Sequence, residues 1–272
     1  MHFVRNDKGG ENALKNKLDM QKHILWASLA ALCMLPLAAG AQRMRSDAER
    51  AGFKSDVNTV REVTRGTHGQ IMGYPTTYYY NAVGNYSRVV YSDTLGKEQM
   101  VVRYTYDTLG RLVKDGRYRT SDGALLSEST YDRDRRDRTF TVSMHSEQAS
   151  SEDRLVYTYD KQGNVVDVSS YDKEGRQQSR DYYKYDSHGM VSEIQYTEGP
   201  DENYRRTERF RYDSDGNVME CRTLYISTER QRLCYTYDFD RYGNWVRRAI
   251  YNVTGNTAEL MQVTTREIAY FE

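Results

Sequence analysis

YTYDKQG, Tyr157 to Gly163, returns one hairpin later as YKYDSHG, Tyr183 to Gly189, and the chain from about residue 78 onward reads as variations on that unit. In YTYD the tyrosines stand at i and i+2, so both rings leave the same face of a strand. Tyrosine itself favours strands. An Asp at the first position of a turn accepts a hydrogen bond from backbone two residues on. A Gly three residues later supplies the positive φ that closes a type I turn with a bulge. DxxG between two alternating runs therefore predicts a hairpin.

The same punctuation recurs at Gly84, Gly110, Gly163, Gly189, Gly216 and Gly243, with a degenerate copy after Tyr131 and Asp132 in which Arg135 replaces the glycine. Successive members lie about 26 residues apart, the spacing of one strand pair. A weaker set, Gly96, Gly123, Gly175, Gly199 and Gly255, falls between them. The turn residues singled out are Asp107 and Gly110, Asp160 and Gly163, Asp172 and Gly175, Asp186 and Gly189, Asp213 and Gly216, and Gly243.

A chain of 272 residues with 25 Tyr, 3 Pro and zero net charge fits one all-β domain. Balanced charge argues against a nucleic-acid partner, which needs a basic field. Much of the 38% hydrophobic share is tyrosine, so the core should be ring-rich and partly polar.

Residues 1–41 read as an N-terminal extension and a cleaved signal peptide. The first nineteen are polar and aperiodic, and Met20 is the expected start. Lys22 gives a positive start, Ile24 to Leu37 an apolar run, and Ala39, Gly40 and Ala41 a cleavage site before Gln42. The run is shorter than the roughly 20 apolar residues of a membrane helix and contains Pro36. No membrane span is therefore expected after cleavage, and Cys33 leaves with the signal. The predicted location is exported: periplasm, outer surface or secreted.

Residues 42–77 comprise a charged leader, mobile until it meets the sheet, and the first strand. Asp56 to Arg65 also suits a short helix, but its β-branched Val57, Thr59, Val60 and Val63 favour a strand with Val57 and Val63 on one face and Val60 on the other. Residues 78–272 carry the repeats. In EQMVVRYTYD, Met100, Val102, Tyr104 and Tyr106 share one face, which predicts a sheet with one buried and one wet side. Short turns exclude crossover helices, so the strands form an antiparallel meander. About fourteen such strands cannot stay flat, and a closed barrel of that number is too wide for side chains to fill. The predicted fold is all-β, an antiparallel hairpin-repeat meander coiled into an open shell or flattened barrel-like sheet with tyrosines inward.

YTYDTLGRLVKDGRYRTSDG, and more loosely YTYDKQGNVVDVSSYDKEGR and FRYDSDGNVMECRTLY, are similar to the tyrosine-aspartate repeats of the RHS family. The resemblance spans Tyr78 to Gly255 and extends to small exported repeat proteins that end in a GNW turn and a final strand, as in GNWVRRAIY and TREIAYF here. It implies hairpins spiralling into a shell, carried by a secreted or surface protein, with carbohydrate binding proposed for the repeats. No proline- and glycine-rich core motif or variable toxin domain follows the repeats, so neither a toxin nor a large cargo shell is expected.

Catalytic and metal motifs are not found in the sequence, and no cofactor is expected. His68, His145 and His188 occur singly, without HExxH or cysteine pairs at metal spacing. The mixed-charge stretch from Asp132 to Asp153 reads as a solvated loop. The sharper alternative, contact with an anionic glycan through Arg133, Arg135, Arg136 and Arg138, is blunted by Asp132, Asp134 and Asp137. Cys221 and Cys234 face each other if their hairpin turns symmetrically at Ser227 and Thr228, giving a possible disulfide, while a single bulge would put them on opposite faces. Two functions remain. One is a non-enzymatic envelope binding or scaffold module that meets glycan or protein through exposed tyrosines. The other is a hydrolase or lyase on an envelope polysaccharide, with two carboxylates in a cleft.

Overall fold

The computed structural model describes residues 46–134, 139–146, 153–161, 164–199 and 204–272. After the one-turn helix α1 (Asp47–Arg50) the described chain is strand and turn. The first eight strands are β1 (Val57–Gly66), β2 (Thr76–Tyr80), β3 (Tyr86–Ser92), β4 (Glu98–Tyr106), β5 (Leu112–Arg119), β6 (Leu125–Asp134), β7 (Thr139–Ser146) and β8 (Asp153–Tyr159). They continue as β9 (Val165–Tyr171), β10 (Gln177–Tyr185), β11 (Val191–Glu198), β12 (Tyr204–Tyr212), β13 (Val218–Tyr225), β14 (Thr228–Phe239), β15 (Trp245–Thr254) and β16 (Thr257–Tyr270). Each pairs antiparallel with its sequence neighbours, and β1 pairs with β16. The architecture is an all-β, up-and-down closed barrel, not the open shell the sequence suggests. Closure leaves no edge strand unpaired.

Register fixes which side chains share the inner wall. From β1 to β4, Val60, Tyr78, Val89 and Val102 stand opposite one another and face inward. On the far side of the ring Val142, Leu155, Val168, Tyr183 and Ile194 belong to a second inward cluster. Val60, Val89 and Val142 are each 1% exposed, so the wall at those points is packed and not a water channel. The expected excess width is taken up by long tyrosine side chains and by the N-terminal segment. One bulge revises the first strand: the register slips between Val57 and Thr59, so Val57 joins Val60 on the inner wall and Val63 faces outward.

From Ser46 onward the leader meets the sheet and is folded over one end. Ser46 caps α1 in a reciprocal capping box with Glu49. Asp47 accepts from the Tyr86 amide and the Tyr106 hydroxyl, each at 2.8 Å, and from Arg50. Ala48 donates to the Gly84 carbonyl at 2.9 Å, and Phe53 meets Tyr80 edge-on. Further along, the Lys54 amide donates to Asn244, whose side-chain amide donates to Ser55 and Tyr270. The rim bearing the YD turns is thus plugged. At Gly84, with φ +80°, an added Cβ would stand 2.6 Å from Ser46 Oγ, so both conformation and plug demand glycine there.

The outer wall is built for water. Lys184 and Arg209 flank Glu193 across three strands at 2.7 and 2.8 Å, and Glu220 is paired with Arg222 on its own strand and Arg232 on β14. A membrane barrel instead carries an apolar band outward, where each lysine or arginine at mid-bilayer costs about 2–4 kcal/mol. Outward tyrosines are covered: Arg88 lies 4.1 Å from the Tyr79 ring centre, and Arg154 and Arg180 cover Tyr171 and Tyr182. No external tyrosine platform of the expected kind forms at these rings.

The disulfide is not made. The β13–β14 hairpin turns at Ile226 and Ser227, both at positive φ, one position earlier than the symmetric reading, and Arg230 is then inserted as an extra residue. Cys221 pairs with Leu233 and faces inward, while Cys234 pairs with Glu220 and faces outward; both are free. Burial pushes the Cys221 thiol up to about 12, which keeps it protonated. Unfolding in denaturant without reductant should expose two titratable thiols at these positions, and dithiothreitol should leave the folded protein's melting midpoint unchanged. A mass lower by two hydrogens under non-reducing conditions would contradict the register.

Candidate functional site

The turn aspartates are committed to structure. Asp107 Oδ1 accepts from the amides of Leu109 and Arg111, both at 2.9 Å, and Asp186 accepts likewise from His188 and Met190. Asp172, Asp213 and Asp240 repeat the pattern, and Asp160 accepts from Asn164, while its glycine, Gly163, lies outside the described residues. Hydrogen bonds to Arg111 hold the Asp107 carboxyl below the usual carboxylate range. Gly110, Gly175, Gly189, Gly216 and Gly243 all take positive φ at these turns.

The second tyrosine of three YxYD copies has a use the sequence did not reveal. Tyr185, Tyr212 and Tyr237 donate their hydroxyls to the carbonyls of Val165, Val191 and Val218, at 2.7, 2.7 and 2.9 Å. Those valines open the second strand of the preceding repeat, where Val191 and Val218 sit at register shifts. These three repeats therefore each satisfy a carbonyl in the one before, whereas Tyr106 donates to Asp47 of the plug.

These tyrosines line the plugged half of the inner wall. Toward the opposite rim the wall turns polar, with Ser129, Asp115 and Arg117 on β5 and β6, and Ser170, Ser179 and Asp181 on β9 and β10. Glu208 and Arg206 follow on β12. Among the described residues, backbone hydrogen bonds of the turns at that rim join only neighbouring hairpins.

Asp181 stands in register with Tyr196, and Tyr196 with Arg206. Tyr196 donates to Glu208 at 3.0 Å, the Arg206 guanidinium lies 4.0 Å from the Tyr196 ring centre, and Arg206 is 3.7 Å from Glu208. Burial pushes the Asp181 carboxyl up to about 7, with Arg206 opposing and Glu208 reinforcing. Across the barrel, burial raises Asp115 although the Tyr131 hydroxyl donates to it. A second charged group lies behind the plug. Glu62 accepts from Arg266 at 2.7 Å, and Arg266 is 3.4 Å from the centre of the Trp245 ring. Chemically, the wall offers hydroxyls, carboxylates, guanidinium groups and ring faces. Among the described residues no group of three His, Cys, Asp or Glu is placed to hold a metal ion.

His68 and His188 are exposed in turns, away from this wall. Arg135, Arg136 and Arg138 lie outside the described residues, as do the side chains of Arg133 and His145. Asp181, Arg206, Glu208, Arg248 and Arg266 were not singled out from the sequence. A signal existed for the first three: each lies an even number of residues before its YxYD tyrosine, Tyr185 or Tyr212, and so shares the tyrosine face.

No family model matches the chain, and no curated protein matches it. Among solved structures it is similar to a porin-like protein from Bacteroides uniformis, at 10% identity over 78% of this chain and 98% of that one, with a TM-score of 0.38. A porin-like protein from Bacteroides vulgatus gives 13% identity over 79% and 98%, with a TM-score of 0.35. The Tc holotoxin pore of Photorhabdus luminescens gives 14% identity over 70% of this chain and 12% of that chain, with a TM-score of 0.26.

Proposed function

We propose that this protein is an exported, non-enzymatic binding module of the cell envelope that takes a glycan at the polar half of its barrel interior. The observation that carries the reading is the asymmetry of the inner wall: one end is plugged by Ser46–Phe53, the other presents Asp181, Tyr196, Arg206 and Glu208. Paired carboxylates and guanidinium groups beside tyrosine rings suit a polyhydroxylated ligand, which needs donors and acceptors together with a flat apolar face.

A glycan array probed with the purified protein should give binding that weakens at least about tenfold on Tyr196→Ala, a loss expected when a stacking and positioning ring is removed. Binding unaffected by that substitution, or silence across the array, would reject the lumen as the site and leave protein partners. Fractionation with N-terminal sequencing tests export and should find the mature chain starting at Gln42.

One observation favours the hydrolytic alternative. Asp181 keeps its proton to about pH 7 beside Glu208, the arrangement of a general acid with a neighbouring carboxylate. That reading requires release of shorter saccharides from a bound polysaccharide and its loss in Asp181→Asn.

A further inference from the structure

Arg248 projects from β15 onto the inner wall, in register with Tyr237 on β14 and Thr264 on β16. Its Nε is buried and has no hydrogen-bond partner among the described residues. Its recorded contact is with a ring: the guanidinium carbon lies 5.0 Å from the centre of Trp245. A ring face attracts the charge but satisfies none of the five N–H donors. Other arginines of the barrel have carboxylate partners. Arg266, which also meets the Trp245 ring, has Glu62, and Arg222 and Arg232 share Glu220. Two guanidinium groups thus meet one tryptophan while one carboxylate pairs with Arg266, which leaves a local excess of positive charge on the inner wall.

The neighbouring group adds a donor. Tyr235 lies one inward position from Tyr237 on β14, opposite Ile250, within electrostatic reach of Arg248. Its hydroxyl has no hydrogen-bond partner among the described residues, whereas the Tyr237 hydroxyl is engaged by Val218. Arg248 and Tyr235 are diagonal neighbours on the inner wall, and the Arg248 guanidinium lies beside a flat indole. Charge-assisted donors in that arrangement suit an oxyanion attached to a ring or chain that lies on the indole.

We infer that Arg248, Tyr235 and Trp245 form an oxyanion-binding site inside the barrel, for the carboxylate or sulfate group of an acidic saccharide. The anion site stands on its own geometry. Assigning the anion to a saccharide rests on the glycan reading above.

The test uses the full-length chain with Trp26→Phe, so that Trp245 is the sole tryptophan reporting by its fluorescence. The probes are inorganic sulfate, tetragalacturonate and fully methyl-esterified tetragalacturonate. Sulfate and tetragalacturonate should change Trp245 emission saturably, with the acid tetramer half-saturating at least tenfold below its neutral ester. Arg248→Gln should raise half-saturation for both anions at least tenfold, Tyr235→Phe about threefold, and Arg205→Gln on the outer wall should do nothing. Tyr235→Phe carries the test should the Arg248 variant fail to fold. Ester bound as well as acid, with no effect of either substitution, overturns the anion site while leaving a lumenal glycan site intact. Sulfate that saturates through Arg248 with both tetramers silent supports the anion site and removes the saccharide. Emission unmoved by any probe overturns the inference.

Discussion

Asp47→Ala is expected to lower the unfolding free energy by about 2–4 kcal/mol, the scale for stranding buried donors of a hydrogen-bond network. The Asp47 carboxylate is buried and accepts at once from the Tyr86 amide, the Tyr106 hydroxyl and Arg50. Alanine leaves an amide and a phenol without acceptors at the packed end of the lumen, and frees α1 from β3 and β4. Asp47→Asn should lose less, because one amide oxygen still accepts. Urea unfolding of the three proteins checks the order. A loss below about 0.5 kcal/mol in the alanine variant, the ordinary scatter of surface substitutions, would mean that the plug is held elsewhere.

The second large effect is a pH profile. Asp181 has its carboxyl pushed up to about 7 from an ordinary 3.8, chiefly by burial. Below about pH 4 it is protonated in folded and unfolded chains alike, and burial costs nothing in charge. Between about 4 and 7 the unfolded chain ionises while the folded one keeps its proton, so stability attributable to this group falls as pH rises. Above about 7 the loss is complete and constant. Three units correspond to about 4 kcal/mol as an upper scale. Asp181→Asn should therefore gain on the native protein progressively from pH 4 to pH 7 and hold that gain to pH 8. Parallel stability curves for the two proteins across this range would show that the carboxyl is solvated.

Much of the barrel can be read from sequence because its signals are local. The Asp107 to Gly110 turn and its copies need only neighbouring atoms: one carboxylate, two amides and a residue free to take positive φ. The alternation from Met100 to Tyr106 carries the facing of β4 for the same reason. Insertions of one residue defeat such reading. The slip between Val57 and Thr59 reverses the facing of Val63, and Arg230 separates two cysteines that a symmetric hairpin would join. Closure was also missed, since the pairing of Val57 with Tyr270 depends on total strand number and twist, which no single window contains. The lumen's charged residues were visible in principle as departures from the tyrosine face. Arg248 is harder to find, because its significance lies in what faces it from β14 and β16.

The seam between β1 and β16 sets an order on biogenesis. It joins the first of these strands to be synthesised to the last, so ribosomal or translocating intermediates must carry β1 with one flank vacant until β16 arrives. Every earlier hairpin can zip onto its predecessor, but the two terminal ladders of a chain cut short within β16 would each remain a template for another molecule. Nonsense or proteolytic loss of the fourteen residues of β16 is thus a route to aggregation and not simply to a smaller barrel.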